Sequence, residues 1–190
     1  MRTKSMSLVV LAVVAVLSLG CPDSGRLSKT EAGGVYLSIT DFDGLPVQVG
    51  VNSVVALSGF VSIEELTLAS IAVNQTQPVS DLMNVEIERF EVGFTRADLG
   101  TRTPQTLVRH IFGTVAPNGT IVYEGLPIMT LEEFTNPPLS DLLIENGGVD
   151  KETGSEAILL NLELKFYGQT LNGTKVETSV PARFNIQFLP

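Results

Sequence analysis

The chain has 190 residues, of which 12 are basic and 21 acidic, and so acidic a protein is repelled by the phosphate backbone of nucleic acids. No Lys/Arg cluster offsets that repulsion, so the composition predicts no nucleic-acid binding. With 44% hydrophobic and 17% charged residues, the sequence favours a packed domain over a disordered chain.

The first 20 residues have the three regions of a secretory signal peptide. Arg2 and Lys4 provide a positive start, residues 8–17 form an uninterrupted apolar run, and Ser18-Leu19-Gly20 is a small-residue exit. The only cysteine, Cys21, follows directly. A cysteine in this place resembles the bacterial lipoprotein signal, in which its thiol is diacylated and becomes the mature N-terminus.

This resemblance predicts an exported protein that is anchored by the lipid on Cys21, on the periplasmic or outer side of a bacterial membrane. Ordinary cleavage is the alternative, because Ser18 and Gly20 also satisfy the small-x-small rule, and it would release a soluble protein with a free thiol. The apolar run is about half of the roughly 20 residues that span a bilayer, which argues against a transmembrane helix.

The residues after Cys21 predict a tether followed by one domain. Residues 22–33 are polar, contain Gly, Ser and Pro, and show no periodicity, so we predict a lipidated N-terminus and flexible tether over 21–33, with a reach of roughly 20 Å. Without Arg2 and Lys4, 10 basic and 21 acidic residues remain, a net charge of −11. Residues 34–190 are enough for a single hydrophobic core.

The first half of this domain is predicted as β structure. Residues 35–40 alternate in polarity, and Asp41-Phe-Asp-Gly44 is predicted to turn the chain. Residues 46–57 and 60–73 are rich in Val, Ile and Leu and are predicted as further strands. In residues 85–95 the apolar parity changes partway, which predicts a β-bulge near Glu88-Arg89.

The second half continues the pattern. Strands are predicted over 106–115 and 119–127, joined as a hairpin at Asn118-Gly119, a pair that tolerates positive φ. Residues 157–167 alternate cleanly, Asn172-Gly173 predicts a hairpin to 175–182, and a last strand is predicted over 183–188.

One stretch interrupts the strands. Thr130-Leu-Glu-Glu133 has the spacing of a capping box, and the chain from Pro137 reaches a glycine pair at Gly147-Gly148, so we expect one or two helical turns that cross between sheets. Half-polar strands with turns about every ten residues predict an all-β antiparallel sandwich with one short helical crossover.

Several strings together resemble a family of uncharacterised bacterial lipoproteins: VEIERFEVGFTRADLGTRTP, GLPI, NPPLSDLL and LELKFYGQTLNGTKVETSVPARFNIQF. The resemblance covers about residues 85–188. It implies an immunoglobulin-like β-sandwich on a lipid tether, and it implies no activity and no functional residues. The family's Asp-Gly-Arg is replaced here by Asp98-Leu-Gly-Thr-Arg102.

Candidate chemistry is sparse, so we predict no catalysis and no cofactor. His110 is the only histidine, in a predicted strand, and the chain lacks the G-x-S-x-G nucleophile motif. Asp41-x-Asp43-Gly44 begins like a calcium loop, but the following residues supply no further side-chain oxygens and the bidentate glutamate is missing. A plain turn is therefore the preferred interpretation of Asp41 and Asp43.

We therefore predict a structural or protein-interaction module of the cell envelope. The polar segment 96–106, with Arg96, Asp98 and Arg102, is the expected contact surface, and a mobile connection without a partner is the equal alternative. A ligand- or glycan-binding module is the second hypothesis, although the absence of Trp leaves few aromatic platforms for sugars.

Overall fold

The structure is a computed structural model that describes residues 34–74 and 78–190. It is mostly β, and two sheets pack face to face in a β-sandwich-like fold. In chain order the strands are β1 (Val35–Asp43), β2 (Gln48–Gly50), β3 (Val61–Ala72), β4 (Val85–Arg96), β5 (Leu107–Val115), β6 (Thr120–Met129), β7 (Ile158–Thr170), β8 (Lys175–Glu177) and β9 (Ala182–Leu189).

The two sheets differ in size and are mostly antiparallel. The smaller has the order β1-β3-β6 and the larger the order β2-β9-β7-β4-β5, with β8 also paired to β7. Only β2 and β9 run parallel among the strand pairs of the described residues. The helices are α1 (Val51–Ala56) and α2 (Leu131–Thr135), with short 3-10 turns at Asp81–Met83, Leu139–Leu142 and Ile144–Asn146.

The core lies between the sheets and follows from strand alternation. The inward residues of β7 are fully buried, as predicted for 157–167: Ile158, Leu160, Leu162, Leu164 and Phe166. Tyr123 of the smaller sheet stacks on Phe166 of the larger, with ring centroids 5.8 Å apart. Burying one such large apolar side chain contributes roughly 1.5–3 kcal/mol, so this alternation is the main source of stability.

The predicted β-bulge in β4 is confirmed. The register shifts between Ile87 and Arg89 against both neighbouring strands, β5 and β7. The extra residue moves the apolar side chains on either side of it to one face, so Ile87 and Phe90 are both buried.

The strand predicted over 46–57 is wrong for most of its length. Only β2 is extended, and the chain then forms α1. Val51 is buried there, and Val54 and Val55 pack against the core. Since positions three and four apart share one helix face, this valine spacing suits an amphipathic turn as well as a strand.

The hairpin predicted at Asn118-Gly119 is also wrong, although both strands exist. β5 pairs with β4 and β6 pairs with β3, so the turn joins the two sheets. Asn118 does adopt positive φ, at 60°, and its Oδ1 accepts a hydrogen bond from the backbone N–H of Ala72. The Asn-Gly pair reverses the chain as predicted, but local turn chemistry does not choose the strand that β6 joins.

Two strand ends differ from the predictions as well. β1 continues to Asp43 and turns only at Gly44, because a register shift between Ile39 and Asp41 keeps it paired with β3. The strand predicted over 175–182 stops after Glu177, where Thr178 and Ser179 contact β1 instead. The hairpin from β7 to β8 and the last strand, with Phe184, Ile186 and Phe188 buried, are confirmed.

The helical crossover between the sheets is confirmed, and it defines one end of the molecule. The chain passes from β6 through α2 and two 3-10 turns to β7 in the other sheet. The carboxylate of Glu133 accepts hydrogen bonds from Thr130 N (2.6 Å) and Oγ1 (2.7 Å), the glutamate half of the predicted capping box.

We name the two ends by what lies there. The helical end comprises α1, segment 97–106 and the crossover 130–157. The Gly34 end, where the described chain begins, comprises Gly34 and the turns at 73–84, 116–119 and 171–174, and 75–77 are outside the described residues. The assignment rests on strand pairing, since Val35 lies beside Ala72 and Val85 beside both Val115 and Thr170.

Candidate functional site

The segment predicted as a contact surface, 97–106, connects β4 to β5 at the helical end. Its geometry begins with the parity of β4, in which Phe90, Val92 and Phe94 are buried on one face. Arg96 has the same parity and ends the strand, so its side chain enters the protein and is only 1% exposed. Because a buried charge is stable only when paired, Arg96 requires carboxylates close by.

Two carboxylates meet the Arg96 guanidinium. Its Nε and Nη2 donate to the two carboxylate oxygens of Asp98 at 2.6 and 2.9 Å, and Nη2 also donates to Asp150 Oδ2 at 2.8 Å. Nη1 donates to the backbone oxygen of Arg102 at 3.3 Å. The two parallel bonds to Asp98 use the planar fork of arginine, which fixes direction as well as distance.

Arg102 extends these contacts to the crossover. Its Nη2 donates to Asp141 Oδ2 at 2.7 Å and to Asp150 Oδ1 at 3.2 Å. Glu152 in turn accepts hydrogen bonds from the backbone N–H groups of Thr101 and Arg102, at 2.8 and 3.0 Å. Together these groups form what we call the charge network: Arg96, Asp98, Arg102, Asp141, Asp150 and Glu152.

The carboxylates of the network are held in their charged form. Burial by itself would raise the pKa of Asp150, but hydrogen bonds from Thr153 and Arg96 outweigh burial and hold that pKa well below its usual range. For Asp98, burial is likewise outweighed by hydrogen bonds from Arg96 and from Leu159 N, and its pKa is lowered. The pKa of Asp141 is lowered in the same way, against burial, by Arg102 and Lys151.

Segment 97–106 carries an exposed leucine with unusual backbone geometry. Leu99 has a φ of 71° and its side chain is 98% exposed. The left-handed region costs an L-residue roughly 1–2 kcal/mol, and bulky residues rarely adopt it outside strained or functional sites. The segment that the charge network fixes therefore exposes a large apolar side chain to water.

A polar groove lies beside this segment. It has a volume of about 790 Å³ and separates residues 103–109 from α2 and the residues that follow it. Polar and charged side chains such as Gln105, Arg109, Glu132 and Asn136 line it. No aromatic residue is among its lining, so it lacks the flat apolar platform on which sugars stack.

The fold brings the three predicted site residues together with three members of the charge network that the sequence did not predict. Arg96, Asp98 and Arg102 lie in one cluster, but Arg96 is buried inside the protein and does not face a partner. The missed residues are Asp141, Asp150 and Glu152, which come from a part of the sequence 39 to 54 residues away. The one available signal was the parity of Arg96 in β4, which demands a buried counter-charge.

The other candidates lie apart from this site. Asp41 and Asp43 are exposed at the end of β1, where each accepts a hydrogen bond from the next residue's backbone N–H. His110 lies on β5 opposite Arg89, in a cleft whose described lining includes Glu88 and no serine. Cys21 and the predicted signal peptide, residues 1–20, lie outside the described residues.

The described residues provide neither a cluster of metal ligands nor a membrane-spanning helix. Residues 34–74 and 78–190 contain no group of three or more His, Cys, Asp or Glu side chains placed to hold a metal ion. No helix in the same ranges has the length and apolar character needed to cross a membrane.

Comparison with known proteins gives a structural likeness and no sequence relative. No protein-family model and no curated protein matches this sequence. The solution structure of a candidate late embryogenesis abundant (LEA) protein is similar over 97% of this chain and 90% of that one, with 13% identity and a TM-score of 0.40. A TM-score this low does not establish a shared fold, so nothing is transferred from it.

Proposed function

We propose that this protein is a lipid-anchored module of the bacterial cell envelope that binds a protein partner through its helical end and performs no catalysis. The anchor is Cys21, diacylated after removal of residues 1–20. The proposal combines the sequence signal for lipidation with the arrangement of the two ends of the sandwich.

We further propose that the sandwich is immunoglobulin-like. Its smaller sheet, β1-β3-β6, corresponds in order to strands A, B and E of that fold. The larger, β2-β9-β7-β4-β5, corresponds to A′, G, F, C and C′. The assignment is supported by chain order as well, because the strands occur in the sequence in the same succession as their letters, with β8 as an addition between F and G.

The position of Gly34, the first described residue, supports the helical end as the contact surface. Gly34 lies at one end of the sandwich, and only 12 residues separate it from Cys21. β7 runs the length of the fold with 13 residues, and strands advance about 3.3 Å per residue, so the helical end lies roughly 40 Å further from the anchor. The anchor therefore leaves that end free for a partner in the envelope.

Leu99 is the observation that carries the proposal. A leucine that is 98% exposed and strained at positive φ stabilises nothing within the described fold, yet ion pairs to the crossover hold the segment that carries it. Strain of this kind persists where the surroundings over-determine it, and it is concentrated at contact and functional sites. Outside the charge network, Glu132, Glu145 and Glu156 are exposed in segment 130–157, which fits a partner with a basic surface.

The anchor is tested by metabolic labelling with a fatty-acid analogue in a bacterial host, for the wild type and Cys21→Ser. We expect label on the wild type only, in the membrane fraction. An unlabelled and freely released wild type would contradict the anchor and leave a secreted protein.

The contact surface is tested by replacing Leu99 with a photo-crosslinking amino acid in intact cells. Val122, which is 48% exposed on β6, provides the matched control position. We expect one discrete protein adduct from position 99 that weakens in Asp150→Asn, whose segment is no longer braced. Absence of an adduct, or equal adducts from both positions, would contradict a contact role for the helical end.

The polar groove favours a second candidate function, the binding of a small polar ligand or glycan. Its volume of about 790 Å³ lies within the range of small-molecule sites. Calorimetric titration with oligosaccharides, on the wild type and on Arg109→Ala, tests it. Saturable binding that the variant loses would favour this function over protein recognition, whereas no heat with any sugar would remove it.

A further inference from the structure

The Gly34 end carries a cluster of exposed apolar side chains. Val73, Val79, Leu82 and Leu171 are 40%, 51%, 59% and 47% exposed. In soluble proteins single exposed apolar residues are ordinary, whereas a contiguous group marks an interaction surface.

Hydrogen bonds and a shared cavity place these residues on the same end of the sandwich. Val73 N donates to the backbone oxygen of Gly34 at 3.0 Å, and Leu171 N donates to that of Asn84 at 3.0 Å. Asn172 N donates to the backbone oxygen of Leu82 at 3.3 Å, which places the 171–174 turn beside the 3-10 turn. A cavity of about 330 Å³ beside Gly34 is lined by Val73, Val79 and Met83 among others. We call this surface the apolar rim: Val73, Val79, Leu82 and Leu171.

Charge separates this end from the rest of the protein. Asp81 is the one charged residue in the described turns of this end, which are 73–74, 78–84, 116–119 and 171–174. Lys175, the residue after the last of these turns, balances its charge. The next acidic residue, Glu86, already belongs to β4. In a chain with a strong acidic excess, the Gly34 end is therefore the end that an anionic lipid surface repels least.

The proposed anchor at Cys21 would place the bilayer close to this rim. The 12 residues between Cys21 and Gly34 include two acidic and two basic side chains, and the tether predicted for them from the sequence would reach roughly 20 Å. The acyl chains on Cys21 would thus keep the bilayer surface within contact distance of the rim at all times. Because the anchor keeps the bilayer close, its effective concentration at the rim is high, and a small apolar surface can bind it without high intrinsic affinity.

We infer that the apolar rim docks onto the surface of the phospholipid bilayer that holds Cys21, with its side chains at the level of the headgroups, so that the sandwich stands upright on the membrane. This inference rests on the proposed lipid anchor. It adds an orientation, since a tether alone would let the helical end point in any direction.

The test uses the acylated full-length protein in phosphatidylcholine vesicles, with and without phosphatidylglycerol. Acylated Cys21 has no free thiol, so Leu82→Cys carries the only reactive thiol and can be labelled with an environment-sensitive fluorophore. Leu57→Cys, at a position 82% exposed at the helical end, is the matched control. We expect brominated lipids to quench the label at position 82 and not the label at 57, while an aqueous quencher does the reverse.

A second perturbation separates docking from mere proximity. With the label at position 82, Leu171→Glu should reduce lipid quenching to the level of the position-57 label, while Leu57→Glu should leave it unchanged. Equal access of both labels to water, in protein whose acylation is confirmed by mass spectrometry, would overturn the docking alone. Protein that is not acylated and does not enter the vesicles would overturn the anchor and the docking with it.

Discussion

Replacing Asp150 by Asn tests the physical role of the charge network. Asn keeps nearly the same volume and can still accept the 2.7 Å hydrogen bond from Thr153 Oγ1, but it removes the negative charge that faces Arg96 and Arg102. The Arg96 side chain is 1% exposed and that of Asp150 is 0% exposed, so solvent cannot compensate for the loss.

The magnitude follows from this burial. Removing one partner of a buried ion pair costs about 3–5 kcal/mol, because the remaining charge is left uncompensated. Arg96 retains its bidentate contact with Asp98, so we expect the lower end, about 3 kcal/mol. Small domains are stable by only about 5–15 kcal/mol, so the loss would be a large fraction of the total.

Equilibrium unfolding in urea measures the difference, with Glu163→Gln as the control. Glu163 also pairs with two basic side chains, Lys165 and Arg183, but its side chain is 34% exposed. Exposed pairs contribute about 0–1 kcal/mol, so the control should change little. If Asp150→Asn costs no more than Glu163→Gln at an unchanged urea dependence, the network does not brace segment 97–106 and our reasoning is wrong.

Three further predictions concern the acid dependence of stability, Leu99 and Tyr123. The pKa values of Asp98, Asp141 and Asp150 are lowered in the fold, so the unfolded chain binds more protons than the folded chain in acid. The free energy of unfolding should therefore fall as pH drops below about 4, and it should fall less steeply in Asp150→Asn. A flat acid profile in urea unfolding would contradict this. Leu99→Gly relieves roughly 1–2 kcal/mol of left-handed strain but adds about 0.4–1 kcal/mol of unfolded-state entropy, so stability should be unchanged or slightly higher while binding to the partner is lost. A clear destabilisation in urea unfolding would refute it. Tyr123 Oη is buried without a hydrogen-bond partner among the described residues, so Tyr123→Phe should stabilise by about 1 kcal/mol in thermal unfolding. Because burial raises the pKa of Tyr123 to about 12, the variant should also lose less stability than the wild type above about pH 10, where Tyr167 still contributes.

The parts of the fold that could be predicted from sequence are those set by local periodicity. Alternation in β7 and the parity change in β4 follow from the rule that successive side chains point to opposite faces, and both are confirmed. What failed depended on long-range pairing. The Asn118-Gly119 turn has the predicted backbone, yet β6 pairs with β3, more than 50 residues earlier, and nothing in the turn encodes that choice.

The same division applies to the candidate site. Arg96, Asp98 and Arg102 were found as a polar segment because they are close in sequence. Their partners Asp141 and Asp150 lie in the crossover, and only the folded chain brings them within 3 Å of the guanidinium groups. A buried network changes the meaning of the segment, since charges that seemed available to a partner are used to fix its shape.

Stability alone does not explain why buried ion pairs, and not apolar side chains, fix segment 97–106. Well-packed apolar residues can replace a buried ion pair without loss, so a buried pair is weak evidence for stabilisation. A guanidinium fork does what packing does not, because its planar donors fix the direction of several acceptors at once. Arg96 and Arg102 join both branches of the helical end in this way, and Leu99, which lies between them in the sequence, has positive φ. We infer that the network serves to keep the contact geometry of this end unique, with stability as a secondary effect.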